Sequence, residues 1–423
     1  PRNNSGPGVA ALQNRLANIE HQTALNFVGL VAVALETLLL EQRPDFLFKQ
    51  RRRVRLRRRN SRRAQQMRAR CRKSAVLILA LSKKQKANRP MAANERPPFD
   101  RELTDIADYV MNFKVGRAAI DAARLCLTDT MACALDALDF PDCTKLIGPV
   151  VPGTVVPHGS RVPGTKFELD PVTATFGFGA MIRWLDMNDT FTAAQGSHPS
   201  DNLAGILMLA DHLTRSGARK FTMADVLEAL VMAYEIQGCI AIENDFKAIA
   251  IDHPLLTRVA SSAVLTRMLG GGVEEVANAV SNAWIASTLR VYRHAPNVGS
   301  RKGWAAADAA AQAVQLAFLA MKGEMGYPQV LSSKKHGFCD AMLGGRVLQL
   351  REPLGSYVIE NAMLKAVPSA MYGQSGAECA FLFHPQLKGR WDEVERITVH
   401  VHAGVKRIMD REGPLRNPAD RDH

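Results

Sequence analysis

The sequence predicts a mostly α protein, with a large all-helical domain followed by a smaller α+β domain. Aromatic residues make up only 6% of the chain, while alanine and leucine are abundant, a composition that favours helices. From Arg101 onward, apolar residues recur at intervals of three and four, the spacing of an amphipathic helix. After about Arg351 the pattern changes. Ile397, Val399 and Val401 alternate with polar residues, which predicts a strand with one buried face.

The individual helices are predicted from their spacing and their ends. Leu103, Ile106 and Val110 share one face of the first helix. Residues 148–165 are rich in proline and glycine and can only form a loop. Asp170 is followed by a proline, which predicts an N-cap and the first turn of a helix that ends near a tryptophan. Further helices are expected at residues 120–138, 201–214, 223–237, 257–269, 273–288 and 304–321.

The net charge of +13 comes from one segment. Residues 1–90 hold 21 Lys and Arg against 4 Asp and Glu, whereas the rest of the chain holds 33 against 37. Residues 51–73 contain twelve arginines and one lysine but no acid, and we expect such a run to be disordered when free. Three interpretations stay open: nucleic-acid binding, an organellar targeting extension, or upstream sequence foreign to the natural protein. The last is favoured by Met91, which opens a stretch typical of a natural start.

These patterns divide the chain into three parts: a basic extension (1–90), a helical domain (91–350) and the start of an α+β domain (351–423), whose C-terminal part we expect to be missing. No apolar run approaches the roughly 20 residues that span a bilayer, so no membrane partner is expected. Seven cysteines without a CxxC pair suggest neither a disulfide framework nor a zinc or iron–sulfur site. A reducing compartment, the cytoplasm, fits best, or the mitochondrial matrix if the extension is a targeting segment.

The stretch WLDMNDTFTAAQGSHPSDNLAGIL is the richest in reactive groups. It brings two carboxylates, a hydroxyl and an imidazole onto one connection between helices, namely Asp186, Asp189, Thr190 and His198. The simpler interpretation is that Asp189, Ser200 and Asp201 only cap helices, and we favour it for the last two. For Asp186 with His198 we favour an acid–base pair, because proton transfer in active sites is built from such groups.

Cations are concentrated in a second region, on a loop between two helices. These residues are Arg290, Arg293, His294, Arg301 and Lys302. A solvated charged loop is one interpretation, and a site for a small polyanion is the other. His253 before a proline is by itself a weak signal, since a cap or a core histidine gives the same pattern. Lys365 lies in an apolar stretch, so it forms either a salt bridge or a substrate contact.

Long strings of residues carry a resemblance to a known family. The segments GPVVPGTVVPHGSRVPGT, RWLDMNDTF, HPSDNLAGIL, YRHAPNVGSRKGWAAADA and LGSYVIENAMLK look like the MmgE/PrpD family, and the likeness covers about residues 95–423. It implies an all-helical domain, a smaller α+β lid, a homodimer and an active site between the domains. By motif, the family's active-site positions fall on Asp186, Thr190, His198, His253, Lys302 and Lys365.

The resemblance further implies dehydration of the tricarboxylate 2-methylcitrate to 2-methyl-cis-aconitate, without cofactor or metal. Proton transfer is then expected from Asp186, His198 and His253, with acid and base unassigned. The substrate carboxylates are expected to contact Thr190, Arg293, Arg301, Lys302 and Lys365. Within the family the alternative is another tricarboxylate lyase reaction, such as decarboxylation of cis-aconitate. From a different class, the rival is a nucleic-acid binder that uses residues 51–73, which we consider the weaker hypothesis.

Overall fold

A computed structural model describes residues 96–286, 288–293, 299–367 and 370–401. They belong to a compact unit that spans Asn94–His423. The basic extension, His294 and the end of the expected α+β domain lie outside the described residues, so the predictions made for them stay predictions.

Helices dominate the described residues, which confirms the mostly α class. Twelve α-helices form there: α1 (Arg101–Asn112), α2 (Arg117–Asp136), α3 (Pro141–Thr144), α4 (Pro171–Trp184), α5 (Leu203–Arg215), α6 (Met223–Glu243), α7 (Pro254–Met268), α8 (Val273–Ile285), α9 (Ala305–Met321), α10 (Phe338–Leu343), α11 (Tyr357–Glu360) and α12 (Gln374–Leu387). Two short antiparallel strands, β1 (Ser160–Arg161) and β2 (Glu168–Leu169), pair Ser160 with Leu169. None of the described helices is long and apolar enough to cross a membrane.

The start of α4 follows from local chemistry. Asp170 Oδ1 accepts hydrogen bonds of 3.0 Å from the backbone N–H groups of Val172 and Thr173. Pro171 occupies the first helical position, where the missing N–H would have had no partner within the helix. The N-cap predicted at Asp170 is therefore confirmed, and the helix ends at Trp184, immediately before the candidate site.

The core is organised around α7, which is buried on almost its whole circumference and packs against α6, α8 and α9. A helix that is buried all round is expected at the centre of a large helical domain. Helix α4 also packs on α9, so closely that a Cβ on Gly179 would lie 2.8 Å from the Cβ of Ala307. The end of α4 and the beginning of α7 are thereby held by the rigid interior of the protein.

The segment after the helical domain folds back onto it. Glu235 of α6 accepts hydrogen bonds from the backbone N–H groups of Gly355 at 2.8 Å and Val358 at 2.9 Å. Met363 then pairs with Thr190 through two backbone hydrogen bonds of 2.8 Å. These contacts carry the following residues into the interior of the helical part.

The prediction of a strand over Ile397–Val401 is wrong for the described residues, since residues 394–401 form neither helix nor strand. Ile397 is 72% exposed, so the alternating pattern buries no face. A strand needs a neighbour for its backbone groups and a surface for its apolar face. Within the part of the chain that the structure describes, neither is present beside this segment.

Candidate active site

Asp186 lies at the centre of the site, in the turn that directly follows α4. Its φ of +52° is in the left-handed region, which residues with a side chain rarely occupy unless their surroundings hold them there. The side chain is buried, and its carboxylate forms an ion pair with Arg183. Lys365 approaches from the far end of the sequence, with Nζ 3.6 Å from Asp186 Oδ1 and a hydrogen bond to the Asp186 carbonyl. Two cations thus hold one buried carboxylate.

Arg183 is the main site residue that sequence reasoning missed. It lies in the last turn of α4 with only 1% of its surface exposed, and burial lowers its pKa to about 10. Its Nη1 donates to Asn188 at 3.3 Å, while Nε and Nη2 are buried and lack a hydrogen-bond partner among the described residues. The available signal was an arginine inside an otherwise apolar helix, three residues before an aspartate, which is the spacing of an i,i+3 pair.

His198 faces Asp186 with the nitrogen that carries no proton. Its Nδ1 lies 2.6 Å from the carbonyl oxygen of Asp189 and 3.4 Å from Thr190 Oγ1. A carbonyl can only accept, so the proton is on Nδ1 and the lone pair is on Nε2. Nε2 lies 3.8 Å from Asp186 Oδ1. Burial, followed by the charges of Arg183 and Lys365, lowers the pKa of His198 well below its usual value, so the ring is neutral at neutral pH.

A buried polar network holds the loop that carries His198, and it corrects our interpretation of Ser200 and Asp201 as helix caps. Asp189 Oδ1 accepts from the Ser200 backbone N–H at 3.1 Å and from its hydroxyl at 2.5 Å. Asn188 donates to Ser200 Oγ at 2.9 Å and to Asp201 Oδ1 at 3.1 Å. Neither helical segment that follows has a side-chain cap. The loop crosses the interior, where buried polar groups must pair with one another.

His253 enters the site from the start of α7, where it precedes Pro254 in the N-cap position. Its ring centroid lies 5.2 Å from that of His198, at an interplanar angle of 69°. Nε2 lies 3.0 Å from Arg293 Nη2. Burial lowers the pKa of His253 well below its usual value, so this imidazole is also neutral at neutral pH. The structure therefore brings together two histidines that are 55 positions apart in the sequence.

Lys302 and Arg301, two further predicted substrate ligands, differ from each other in burial and in contacts. Lys302 is buried on a short turn whose Gly303 packs against Trp184, at the end of α4. Arg301 is half-buried, pairs with Asp308 at 3.1 Å and lies over the Trp304 ring. The structure thus brings Asp186, Thr190, His198, His253 and Lys365 into one cluster, which Arg293 joins through His253. Arg301 contacts its own turn, α9 and the Tyr292 ring, whose centroid lies 5.8 Å from its guanidinium carbon.

The cluster combines neutral imidazoles with concentrated positive charge. Such a site can move a proton on a substrate whose negative charges the arginine and lysine side chains hold. No group of three or more His, Cys, Asp or Glu side chains converges as a metal site in the described part of the chain. The arrangement is that of an enzyme acting on a small polyanion.

Comparison with known proteins defines the class. The model of the MmgE/PrpD N-terminal domain matches residues 104–351, and that of the MmgE/PrpD C-terminal domain matches residues 367–423. The chain belongs to the MmgE/PrpD family.

Several of its relatives are enzymes named 2-methylcitrate dehydratase. The 2-methylcitrate dehydratase of Escherichia coli K12 is 52% identical over 340 residues, which cover 78% of this chain and 70% of that protein. The 2-methylcitrate dehydratase of Salmonella typhimurium is 51% identical over the same coverage. The mitochondrial 2-methylcitrate dehydratase of Yarrowia lipolytica is 46% identical over 344 residues, with coverages of 79% and 66%.

Proposed function

We propose that this chain is a hydro-lyase that removes water from 2-methylcitrate to give 2-methyl-cis-aconitate. The observation that carries the proposal is the buried cluster in which His198 and Lys365 meet at Asp186. Relatives that are 51% and 52% identical over 340 residues are named for this activity. The substrate class and the reaction type suit the charges and the proton-transfer groups of the cluster.

The main chemical difficulty of the reaction is the low acidity of the proton to be removed, and the positive charges of the site can overcome it. The substrate carries three carboxylates, and the proton to be removed lies next to one of them. That proton becomes acidic only when the negative charge that develops on the carboxylate is neutralised by groups already in place. Lys365 and Lys302 are buried lysines that can supply this charge, and Arg183 adds to the positive potential around Asp186.

We assign His198 as the general base. Its Nδ1 proton is committed to the Asp189 carbonyl, so the lone pair on Nε2 is the group available to accept the substrate proton. Burial and the surrounding cations lower the pKa of the ring. A bound trianion offsets those charges and raises that pKa, which makes His198 a stronger base once the substrate is in place.

The departing hydroxyl needs a proton, and we assign Lys365 as its source. Burial lowers the pKa of Lys365 to about 7, so the ammonium group can release a proton at the working pH. Its Nζ is held by the backbone carbonyl of Asp186. The electron pair of the C–H bond forms the new double bond, the C–O pair leaves with oxygen, and the proton from Lys365 completes the water molecule.

Further assignments concern the whole chain. We propose that residues 91–350 and 351–423 are the two domains that bound the active site, that two copies form a homodimer, and that residues 1–90 take no part in turnover. We place the protein in the cytoplasm, or in the mitochondrial matrix if residues 1–90 are a targeting segment. Salt-dependent DNA binding that is lost when residues 1–90 are deleted, in a chain that lacks turnover, would instead support the nucleic-acid hypothesis.

The test is turnover of 2-methylcitrate, followed by the ultraviolet absorbance of the conjugated product. His198→Gln removes the general base, and Asp186→Asn removes the carboxylate that pairs with Arg183 and Lys365. Both substitutions keep the side-chain shape, and each should lower kcat by about 10²–10⁴-fold. The matched control is His336→Gln, at an exposed histidine, which should keep the parental rate. Near-parental rates in both site variants would contradict the assignment. Release of carbon dioxide from cis-aconitate, without turnover of methylcitrate, would favour the decarboxylase alternative.

A further inference from the structure

Asp252 is a fully buried carboxylate directly before His253, and three donors surround it. Arg290 Nη1 lies 2.9 Å from Oδ1, while the Tyr292 hydroxyl and Arg293 Nε both donate to Oδ2. The backbone of the same segment is also fixed, since the Asp252 N–H donates to the Thr288 carbonyl at 2.8 Å. The neighbouring arginines and His253 hold the pKa of Asp252 well below its usual range, so it is ionised. The mechanism above gives this carboxylate no task.

Arg293 connects the carboxylate to the histidine. Its Nε donates to Asp252, and its Nη2 lies 3.0 Å from His253 Nε2. A guanidinium has no acceptor, so Nε2 of His253 must be the acceptor of this hydrogen bond. The proton of the neutral ring is therefore on Nδ1. That Nδ1 is buried and lacks a hydrogen-bond partner within the described part of the chain.

We propose that Asp252 and Arg293 are a positioning pair that holds His253 in the tautomer with its proton on Nδ1, so that Nδ1–H donates a hydrogen bond to the substrate carboxylate on which negative charge develops. Asp252 orients Arg293, and Arg293 occupies Nε2. The inference rests on the proposed function, because it deepens the role of one residue in the same reaction.

The proposal explains both the buried Nδ1 of His253, which lacks a hydrogen-bond partner among the described residues, and the contacts of Arg293. A buried N–H without a partner is costly, and a substrate oxygen would satisfy it. A neutral imidazole that donates a hydrogen bond to developing negative charge is an established way to stabilise such a charge. The sequence alone had favoured Arg293 as a substrate ligand. Its contacts with Asp252 and His253 instead support a role that acts through the histidine.

The first test measures the tautomer directly, by NMR of the full chain labelled with ¹⁵N at histidine. The signal of His253 is assigned by its loss in His253→Gln. We expect Nδ1 to carry the proton and Nε2 to carry none. Arg293→Leu removes the donor to Nε2 and should shift the proton towards Nε2. Arg290→Gln is the matched control, because it removes an arginine from the same carboxylate at the other oxygen, and it should leave the tautomer unchanged.

The second test measures kinetics against pH, where the sign of the shift matters. The charged and titratable groups around His253 are Asp252, Arg290, Arg293, Arg183 and His198. Loss of the positive charge in Arg293→Leu raises the pKa of His253, so the acidic fall in kcat should move to higher pH. Loss of the negative charge in Asp252→Asn lowers that pKa, so the fall should move to lower pH. Both variants should lose roughly 10²-fold or more in kcat at neutral pH, with a smaller change in KM.

The outcomes separate this inference from the proposed function. A proton on Nε2 of His253 in the parent chain overturns the inference, as does a parental tautomer in Arg293→Leu. If Arg293→Leu does not fold, two measurements still test the inference: the NMR spectrum of the parent chain and the pH dependence of kcat in the shape-conserving Asp252→Asn. Equal losses of rate without opposite pH shifts would reduce the pair to a structural role and refute the proposal. The expected tautomer in a chain that does not convert 2-methylcitrate would refute the proposed function alone.

Discussion

Replacing Lys365 with methionine should lower activity and raise stability at the same time. Methionine keeps the length of the side chain but removes the charge and the proton. Lys365 is 5% exposed, and burial lowers its pKa from 10.5 to about 7. At about 1.4 kcal/mol per pKa unit, the buried ammonium opposes folding by on the order of 5 kcal/mol at pH 6. Loss of the donor to the Asp186 carbonyl costs about 1–3 kcal/mol in return. We expect a net gain of about 3 kcal/mol in the free energy of unfolding.

The pH dependence of that gain follows from the lowered pKa of Lys365. Below pH 7 the lysine is charged in both folded and unfolded states, so the full cost of burying the charge is present. Between pH 7 and 10.5 the folded state has released the proton while the unfolded state keeps it, so the cost disappears as the pH rises. The stability difference between Lys365→Met and the parent should therefore be largest at pH 6 and shrink towards pH 10.

The assay combines urea unfolding with turnover of 2-methylcitrate. Removal of a group that supplies both a proton and positive charge should lower kcat by at least about 10²–10³-fold. Lys322→Met, at an exposed lysine, is the matched control and should change neither quantity. Near-parental turnover in Lys365→Met would refute the catalytic role. A parallel fall of stability and turnover would show that the lysine is a structural ion-pair partner.

Two further predictions concern the charges of the site. Arg183→Met removes one partner of Asp186 and should destabilise the fold by about 3–5 kcal/mol in urea unfolding. Arg183→Lys should recover most of that loss. An unchanged unfolding midpoint in Arg183→Met would mean that the ion pair contributes nothing to stability. Turnover should survive exhaustive dialysis against EDTA, because the mechanism draws its positive charge from lysine and arginine side chains, and a loss of activity that added iron or zinc restores would contradict it.

Some features of the site follow from local sequence. The spacing of apolar residues predicted α1, and the Asp170–Pro171 pair predicted the start of α4, because helix periodicity and capping depend on residues within four positions of each other. The reactive side chains of Asp186 and His198 could also be identified, since they lie on one short connection. The same reasoning failed for the strand at residues 397–401, because an alternating pattern shows which face a strand would bury but supplies no partner for its backbone.

Family resemblance could name Lys365 and His253 as site residues, but it could not say what they touch. Lys365 meets Asp186 across 179 positions of sequence, and that contact exists because the segment after α10 folds back onto α6 and Thr190. The positioning role that we propose for Arg293 also depends on a long-range contact, with His253, which lies 40 positions earlier in the sequence.

The sequence by itself determined the helical class, the approximate positions of α1, α2 and α4 to α9, and the chemical types of the reactive side chains, because each of these depends on near neighbours along the chain. The tertiary structure alone decided which ring nitrogens of His198 and His253 have a hydrogen-bond partner, which carboxylate holds which cation, and which lysine is buried deeply enough for its pKa to fall to about 7. Tautomers and pKa values respond to hydrogen-bond partners and burial, and in this interior those partners come from helices far apart in the sequence.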